Sequence, residues 1–157
     1  MNSVNKLKLF ATASLLAVGS SAAAGSWTSE QSIAGMDVWI YTPDSVSPVG
    51  DGRSAMIVMH GCAQTGDDFR NGANLEVAAE TYGMVMAVPT APNGGVGLYG
   101  CWDYYDTNHT RTNRHNDNLI ELGQILQNRS DVDPDQVYIA GLSSGATQAQ
   151  VTGCLAP

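Results

Sequence analysis

A serine flanked by two glycines is the group in this sequence whose surroundings best suit chemistry. An apolar, largely β-type run at 137–140 leads into the pattern Gly141-x-Ser143-x-Gly145, and small residues compatible with a helix follow. This order is typical of a strand, a tight turn and a helix that hold a serine on strained backbone, where glycine leaves room for the neighbouring chain. We therefore predict that Ser143 is a nucleophile. The alternative is an ordinary turn between a strand and a helix.

Acyl transfer at such a serine also needs backbone amides that point at the oxyanion of the tetrahedral intermediate. One donor is the N–H of the residue after the nucleophile, which here is Ser144. The second comes from the loop after an earlier strand of the sheet, and residues 60–64 leave such a strand. We expect the backbone of Cys62 to be this donor, with Ala63 as the neighbouring option. The alternative is a plain strand-end turn in which His60 is a packed or solvent-bonded side chain.

Strands are predicted before and after the motif at 60–64. Alternation of apolar and polar residues predicts a strand at 36–41. Continuous apolar runs at 55–59 and 84–88 are typical of strands buried on both faces of a parallel sheet. A polar turn at 131–135 is expected to lead into the strand before the serine.

Helices are predicted between these strands. The first covers residues 75–82, and Gly83 is its stop signal. Leucines at 119, 122 and 126 mark the second, with Asn118 and Glu121 spaced like a capping box. Strand, helix and strand at this spacing form a βαβ unit, so the sequence predicts an α/β fold with a mostly parallel sheet.

Residues 90–114 form a long loop rich in glycine, asparagine and aromatic residues. Long loops inside compact domains are usually functional. We expect Trp102, Tyr104 and Tyr105 to supply an aromatic wall to a substrate cleft near the serine. The alternative for each of these rings is packing in the core.

The N-terminal residues have the order of a secretory signal peptide. Lys6 and Lys8 precede an apolar run at 9–18, and small residues follow up to Ala24. We expect cleavage after Ala24, export of the chain, and a single domain in residues 25–157. The apolar run is shorter than the roughly 20 residues that cross a bilayer, so no membrane anchor is expected.

The composition is acidic, with 7 Lys and Arg against 15 Asp and Glu in 157 residues. Removal of the leader takes away both lysines and leaves a net charge near −10. Such a surface repels phosphate backbones, so nucleic acid is not expected as a partner. Three cysteines in an exported chain, Cys62, Cys101 and Cys154, predict a disulfide with one thiol left over.

Two patterns imitate ligand sites. Residues 95–100 match the glycine spacing of a dinucleotide-binding loop, but prolines separate them from the preceding strand and no helix is predicted after them. Residues 131–135 resemble the start of a calcium loop without the glycine and glutamate that complete one. His109 and His115 have no further ligand at metal-binding spacing. We therefore expect neither a nucleotide cofactor nor a metal.

Four motifs in order carry a family resemblance. They are His-Gly-Cys-Ala-Gln at 60–64, Gly-Cys-Trp-Asp-Tyr-Tyr at 100–105, Val-Asp-Pro-Asp-Gln-Val-Tyr-Ile-Ala at 132–140 and Gly-Leu-Ser-Ser-Gly-Ala at 141–146. Together they resemble the polyhydroxybutyrate depolymerase family of esterases, which is related to feruloyl and acetylxylan esterases. The resemblance covers about residues 36–157.

The resemblance implies an α/β-hydrolase fold and a secreted serine esterase that acts on a polyester. Ser143 would be the nucleophile, and the amides of Cys62 and Ser144 would form the oxyanion hole. It also implies that Cys62 can pair with Cys101. Feruloyl or acetylxylan esterase activity is the alternative within the same class.

In this family the catalytic aspartate and histidine follow the serine in the chain. Residues 145–157 contain neither Asp, Glu nor His, so both partners are expected beyond Pro157. Residues 25–157 are accordingly interpreted as the N-terminal part of the hydrolase domain, truncated after the nucleophile turn. The alternative of another class is a non-catalytic exported binding protein, or an inactive fragment, with the same fold.

Overall fold

The computed structural model describes residues 25–157, and the predicted leader at 1–24 lies outside the described residues. Strands and helices follow one another in the described part, with a short 3-10 turn at Pro92–Gly94. In chain order the elements are β1 (Ser26–Trp27), β2 (Gln31–Ile33), β3 (Met36–Thr42), β4 (Arg53–Met59), α1 (Gly66–Gly72), α2 (Leu75–Tyr82), β5 (Met84–Pro89), α3 (Asn116–Gln127), β6 (Val132–Gly141) and α4 (Ser144–Leu155).

The strands form one mixed sheet in the order β1-β3-β5-β4-β6, with β2 beside β3. β4 is parallel to both β5 and β6, whereas β3 is antiparallel to β5, β1 and β2. Parallel neighbours need a crossover, which α1 and α2 supply between β4 and β5, and α3 supplies on the way to β6. The predicted α/β architecture is therefore present. Its parallel part is β5-β4-β6, and the antiparallel N-terminal strands extend the sheet beyond it.

Strand β4, the middle strand of the parallel part, is covered on both faces of the sheet. Ala55, Ile57 and Met59 belong to a core cluster that also holds the three leucines that predicted α3. Val58 points to the opposite face and packs in a second cluster with Ala79 of α2. Successive side chains of a strand alternate between faces, so burial of both sets explains the continuous apolar run.

The helix boundaries differ in instructive ways from those that the sequence predicts. α2 spans the predicted residues, and Gly83 after it has φ 58° in the left-handed region. α3 begins at Asn116, so the capping box predicted at Asn118 and Glu121 is wrong. Asn118 instead donates from Nδ2 to the carbonyl oxygen of Ala34 at 2.8 Å, which fastens α3 to the turn before β3.

Helix α1 has no counterpart in the sequence prediction. Its capping box is complete, because Thr65 Oγ1 accepts from the N–H of Asp68 at 3.1 Å and Asp68 Oδ2 accepts from the N–H of Thr65 at 2.9 Å. The signal was therefore in the sequence. It was missed because aspartate replaces the longer Glu or Gln that usually closes this motif.

Strand β6 already begins within the segment 131–135, for which the sequence predicts a turn. Residues 133–136 lie opposite a single residue of β4, Ser54, so the strand bulges there. Inside the bulge, Asp133 Oδ1 accepts from the N–H of Asp135 at 3.0 Å. The turn chemistry is real, but it produces a bulge inside the strand and not a loop before it.

Candidate active site

Ser143 lies in the sharp turn between β6 and α4. Met59 at the end of β4 pairs with Gly141 at the end of β6, so both strands finish at the same edge of the sheet. The N–H of Leu142 donates to the carbonyl oxygen of Met59 at 3.0 Å and continues this pairing into the turn. Ser143 is exposed and has φ 52° and ψ −118°, a strained conformation for a residue with a side chain. The predicted strand, turn and helix are all present.

Close backbone packing explains both glycines of the pattern. A Cβ added at Gly141 would lie 2.5 Å from the carbonyl carbon of Gly145. A Cβ added at Gly145 would lie 2.5 Å from the carbonyl oxygen of His60 and 2.7 Å from that of Met59. Only glycine therefore lets the first turn of α4 pass against the end of β4.

Replacing Gly145 with alanine is expected to lower the free energy of unfolding by about 2–3 kcal/mol, because the added methyl meets backbone atoms that cannot rotate away. Gly153 on the same helix is a matched control, since a Cβ there would lie an ordinary 3.8 Å from Ile139 Cγ2. Gly153→Ala is expected to raise the free energy of unfolding by up to about 1 kcal/mol, because alanine is the better helix former. Urea denaturation measures both, and equal effects would contradict the packing at Gly145.

The loop at 60–64, which we call the oxyanion loop, runs beside the serine turn. A Cβ added at Gly61 would lie 3.4 Å from Cβ of Ser143, so the two backbones approach to contact distance. The N–H of Gly61 donates to Gln64 Oε1 at 2.9 Å, which holds the loop in its turn. The chain reversal after β4 thus delivers backbone amides to the neighbourhood of Ser143.

The hydrogen-bonding state of these amides distinguishes the two predicted donors. The N–H of Ala63 donates to the carbonyl oxygen of Tyr99 at 2.6 Å and is therefore occupied. Among residues 25–157 no acceptor is bound to the N–H of Cys62, nor to that of Ser144 at the first position of α4. The free amide at the start of a helix also lies at the positive end of the helix dipole. The arrangement favours Cys62 over Ala63.

His60 is a buried structural residue. Its Nδ1 donates to the carbonyl oxygen of Gly61 at 2.6 Å, and its Nε2 accepts from the N–H of Ala91 at 3.1 Å. A carbonyl oxygen only accepts and an N–H only donates, so the ring is neutral with its proton on Nδ1. Both nitrogens are engaged, and the side chain has no exposed surface. This matches the packed alternative, and His60 is not available as a general base.

Acid is expected to destabilise the fold through the buried His60 and the half-buried His115. Burial lowers the pKa of both His60 and His115. The resulting stabilisation is complete above the unfolded-state pKa of about 6.5 and is lost as the pH falls from there through the folded-state pKa. The urea midpoint should therefore fall between about pH 8 and about pH 5. His60→Gln, which keeps a neutral donor and acceptor, should reduce this dependence, and a midpoint that is constant with pH would contradict the mechanism.

A disulfide joins Cys62 to Cys101 and confirms the pairing that the family resemblance implies. Cys154 is a free, exposed thiol. Val96 and Cys101 exchange two backbone hydrogen bonds of 2.8 and 3.0 Å, so residues 96–101 form a small hairpin, called here the 96–101 hairpin. The disulfide fastens the base of this hairpin to the oxyanion loop.

The aromatic residues of the predicted wall lie in different environments. Trp102 is 0% exposed, and its ring lies between those of His60 and His115, with centroid distances of 5.4 and 5.8 Å. The expectation that Trp102 lines a substrate cleft is therefore corrected, because a ring without accessible surface belongs to the core. Tyr104 is half-buried and stacks on the exposed Tyr105, with 4.2 Å between ring centroids.

Two residues that the sequence did not predict connect the loop at 90–114, which we call the aromatic loop, to α4. Arg114 forms ion pairs with Asp103 at 3.0 Å and Asp106 at 3.2 Å. Gln148, buried on α4, donates from Nε2 to the carbonyl oxygen of Arg114 at 3.1 Å and to Asn116 Oδ1 at 2.8 Å. The ion pairs of Arg114 span 11 and 8 residues. The hydrogen bonds of Gln148 join segments more than 30 residues apart, so no local motif announces them. They link the aromatic loop to the helix that begins beside Ser143.

The patterns that imitate ligand sites have structural explanations. The glycines at 95, 97 and 100 all have positive φ and shape the turns of the 96–101 hairpin, and no helix opens there. In the part of the chain that the structure describes, no three His, Cys, Asp or Glu side chains are grouped as metal ligands. The same residues include no helix long and apolar enough to span a membrane.

Comparison with known proteins shows what the chain is similar to. It is 38% identical over 149 residues to a poly(3-hydroxybutyrate) depolymerase of Ralstonia pickettii, covering 85% of this chain and 30% of that protein. It is 26% identical over 122 residues to acetylxylan esterase A of Emericella nidulans, covering 76% and 38%. It is also 26% identical over 123 residues to feruloyl esterase B of Neurospora crassa, covering 76% and 39%. The chain thus spans roughly a third of the length of these relatives.

Solved structures share the fold. The acetyl xylan esterase from Aspergillus awamori superposes with a TM-score of 0.69 at 21% identity, over 85% of this chain and 48% of that one. The fluorophosphonate-binding serine hydrolase FphF of Staphylococcus aureus gives 0.55 at 13% identity, over 78% and 49%. These likenesses confirm the α/β-hydrolase-type fold.

A family model connects fold and sequence. The model described as "Esterase PHB depolymerase" matches residues 40–157, which include β4, the oxyanion loop, the disulfide and the serine turn. The chain therefore belongs to the esterase PHB depolymerase family and is related in sequence to acetylxylan esterases.

Proposed function

We propose that this chain carries the nucleophile and the oxyanion hole of a secreted serine esterase that hydrolyses a polyester such as poly(3-hydroxybutyrate). One observation carries the proposal: Ser143 is exposed on strained backbone beside the free amides of Cys62 and Ser144. A serine that is presented in this way, with two donors nearby, suits attack on an ester carbonyl.

The reaction would proceed in two steps. Ser143 Oγ attacks the ester carbonyl while a histidine takes its proton, and the carbonyl oxygen becomes an oxyanion held by the N–H groups of Cys62 and Ser144. Collapse of this intermediate breaks the ester bond, and the alcohol leaves with the proton from the histidine. Water then attacks the acyl-enzyme, and the carboxylic acid is released as Ser143 regains its proton.

The histidine of this mechanism is not His60. Its Nδ1 and Nε2 are both used within the fold, and burial lowers its pKa. The proposal therefore assigns the general base and its carboxylate partner to residues that follow Pro157 in the complete protein, in agreement with the order of the triad in α/β hydrolases.

Labelling of the full-length protein with a fluorophosphonate tests the nucleophile. The expected result is one covalent adduct, located at Ser143 by peptide mass spectrometry and absent from the Ser143→Ala variant. A full-length protein that is folded and remains unlabelled would support the non-catalytic binding protein instead. An adduct on another serine would contradict the assignment of Ser143.

Substrate choice has a second candidate, because the relatives include an acetylxylan esterase and a feruloyl esterase. The polyester is favoured by the 38% identity to a poly(3-hydroxybutyrate) depolymerase, against 26% for the other two. Rates on polyhydroxybutyrate film, acetylated xylan and methyl ferulate decide between them. If acetylated xylan or methyl ferulate is hydrolysed faster than the film, that compound replaces the polyester as the proposed substrate.

Secretion is part of the proposal and rests on the leader pattern at 1–24. The proposed destination is the medium or a periplasm, so expression with and without these residues, followed by recovery of the protein from either compartment, tests it. Export of both forms, or of neither, would contradict a leader that ends at Ala24.

A further inference from the structure

We propose that the tip of the 96–101 hairpin is a docking surface for an uncharged, apolar polyester chain, which it holds beside Ser143. This inference deepens the proposed function and rests on it. It assigns substrate contact to Leu98 and Tyr99 instead of the buried Trp102.

The tip presents large apolar side chains to solvent. Leu98 is 95% exposed and Tyr99 is 68% exposed, and Leu142, directly before the nucleophile, is 51% exposed. Scattered exposed apolar residues are ordinary on protein surfaces. Leu98 and Tyr99 lie on a hairpin that is bonded to the oxyanion loop, and Leu142 lies in the serine turn that this loop contacts. Large exposed apolar side chains on such linked segments are typical of a binding surface.

Covalent and hydrogen bonds connect the hairpin to the catalytic groups. Cys101 at its base is bonded to Cys62, whose amide is a proposed oxyanion donor. The carbonyl oxygen of Tyr99 accepts from the N–H of Ala63 at 2.6 Å, one residue further along the oxyanion loop. Gly61, next to Cys62, is the residue whose added Cβ would lie 3.4 Å from Ser143 Cβ. The hairpin is thus fastened at two points to the loop that contacts the nucleophile.

These links also preorganise the hairpin for binding. A segment that is already held by a disulfide and backbone hydrogen bonds loses little conformational freedom when it binds. The cost of ordering a flexible loop on the substrate is therefore avoided.

The charge pattern indicates what kind of chain docks there. The sequence carries 15 acidic residues, yet residues 90–102 contain no Asp, Glu, Lys or Arg. The tip carries no charge, so an apolar polyester can cover it without burying an unpaired charge. A polysaccharide would offer many hydroxyl groups to a tip on which Leu98 can bind none of them and only the Tyr99 hydroxyl can form hydrogen bonds. The observations therefore favour a polyester over a carbohydrate.

The test uses the full-length double variant Leu98→Ser/Tyr99→Ser. The matched control is Val46→Ser/Val49→Ser, because these valines are 64% and 58% exposed in the loop before β4, at the opposite end of the strand from the serine turn. Hydrolysis is measured on polyhydroxybutyrate film and on p-nitrophenyl acetate, a soluble ester too small to reach along the hairpin. Adsorption to the film is measured separately in a Ser143→Ala background.

The hairpin variant is expected to lose at least about tenfold in film hydrolysis and in adsorption, while kcat/KM for p-nitrophenyl acetate stays within about twofold. The control variant should keep wild-type film hydrolysis, adsorption to the film and kcat/KM for p-nitrophenyl acetate. Unchanged film hydrolysis and adsorption would overturn the inference. An equal loss on both substrates would overturn it too, because the hairpin would then support the oxyanion loop and not the polymer.

The two proposals fail in different ways. A wild-type protein that hydrolyses no ester refutes the esterase, and the adsorption measurement still decides whether the hairpin binds the polymer. A hairpin variant that loses binding to acetylated xylan, but keeps adsorption to the film, would identify the surface as a carbohydrate site and overturn the polyester.

Discussion

Replacement of Ser143 with alanine is expected to lower kcat/KM for a soluble ester by at least about 10⁴-fold in the full-length protein. The reason is that the proposed covalent route needs an oxygen nucleophile at this one position, and the proposed oxyanion amides of Cys62 and Ser144 would then stabilise only the small residual attack by water. The loss should fall mainly on kcat, since the hydroxyl contributes little to substrate binding. Steady-state kinetics with p-nitrophenyl acetate measures it.

Ser130→Ala is the matched control, because Ser130 is an exposed serine in the turn before β6, at the opposite end of that strand from the serine turn. Its activity should equal that of the wild type. Ser143 is also exposed, so its truncation is expected to change the urea midpoint little. A Ser143→Ala protein that keeps more than about a tenth of its activity would refute the nucleophile.

Removal of the disulfide by Cys62→Ser/Cys101→Ser is expected to lower the free energy of unfolding by about 4 kcal/mol. The two cysteines are 39 residues apart, and a cross-link over such a loop reduces the conformational entropy of the unfolded chain by that order. The enclosed segment contains α1, α2 and β5, so the link joins the two ends of one crossover unit. Urea denaturation without reductant measures the loss.

The same double variant is expected to lose activity beyond its loss of stability. Cys62 supplies a proposed oxyanion amide, and an amide that is no longer held by Cys101 is less well placed, at a cost of up to about 10²-fold in kcat. Cys154→Ser is the control, because this thiol is free and exposed, and it should change neither property. Reductant should cause the same losses of stability and activity in the wild type as the double variant shows. It should affect Cys154→Ser as it affects the wild type, because both keep the disulfide. Unchanged kcat in a folded double variant would show that the disulfide does not position the amide.

The serine turn was predictable because its requirements are local. Gly141 and Gly145 are needed by backbone atoms within a few residues of Ser143 and at the end of the adjacent strand, so their spacing survives in the sequence as a pattern. The end of α2 was predictable for the same reason, since Gly83 in the left-handed region stops a helix whatever lies around it.

The misplaced elements depend on partners that are distant along the chain. Asn118 looks like a helix cap in sequence, but it bonds to Ala34, 84 residues away. The segment 131–135 carries turn chemistry, but pairing with β4 incorporates it into β6 as a bulge. In both cases a tertiary contact replaces the local preference of the residue.

Residue types and spacing by themselves determined that a strand, a turn and a helix present Ser143, and that Cys62 belongs to the loop beside it. Only the tertiary structure decided which aromatic rings are exposed and that His60 is neutral with both ring nitrogens hydrogen-bonded. It also decided that the N–H of Ala63 is bound to the carbonyl oxygen of Tyr99. The physical reason is that backbone strain at a glycine is a property of neighbouring residues. Burial and hydrogen-bond satisfaction, in contrast, are set by segments that meet only when the sheet and its crossovers have formed.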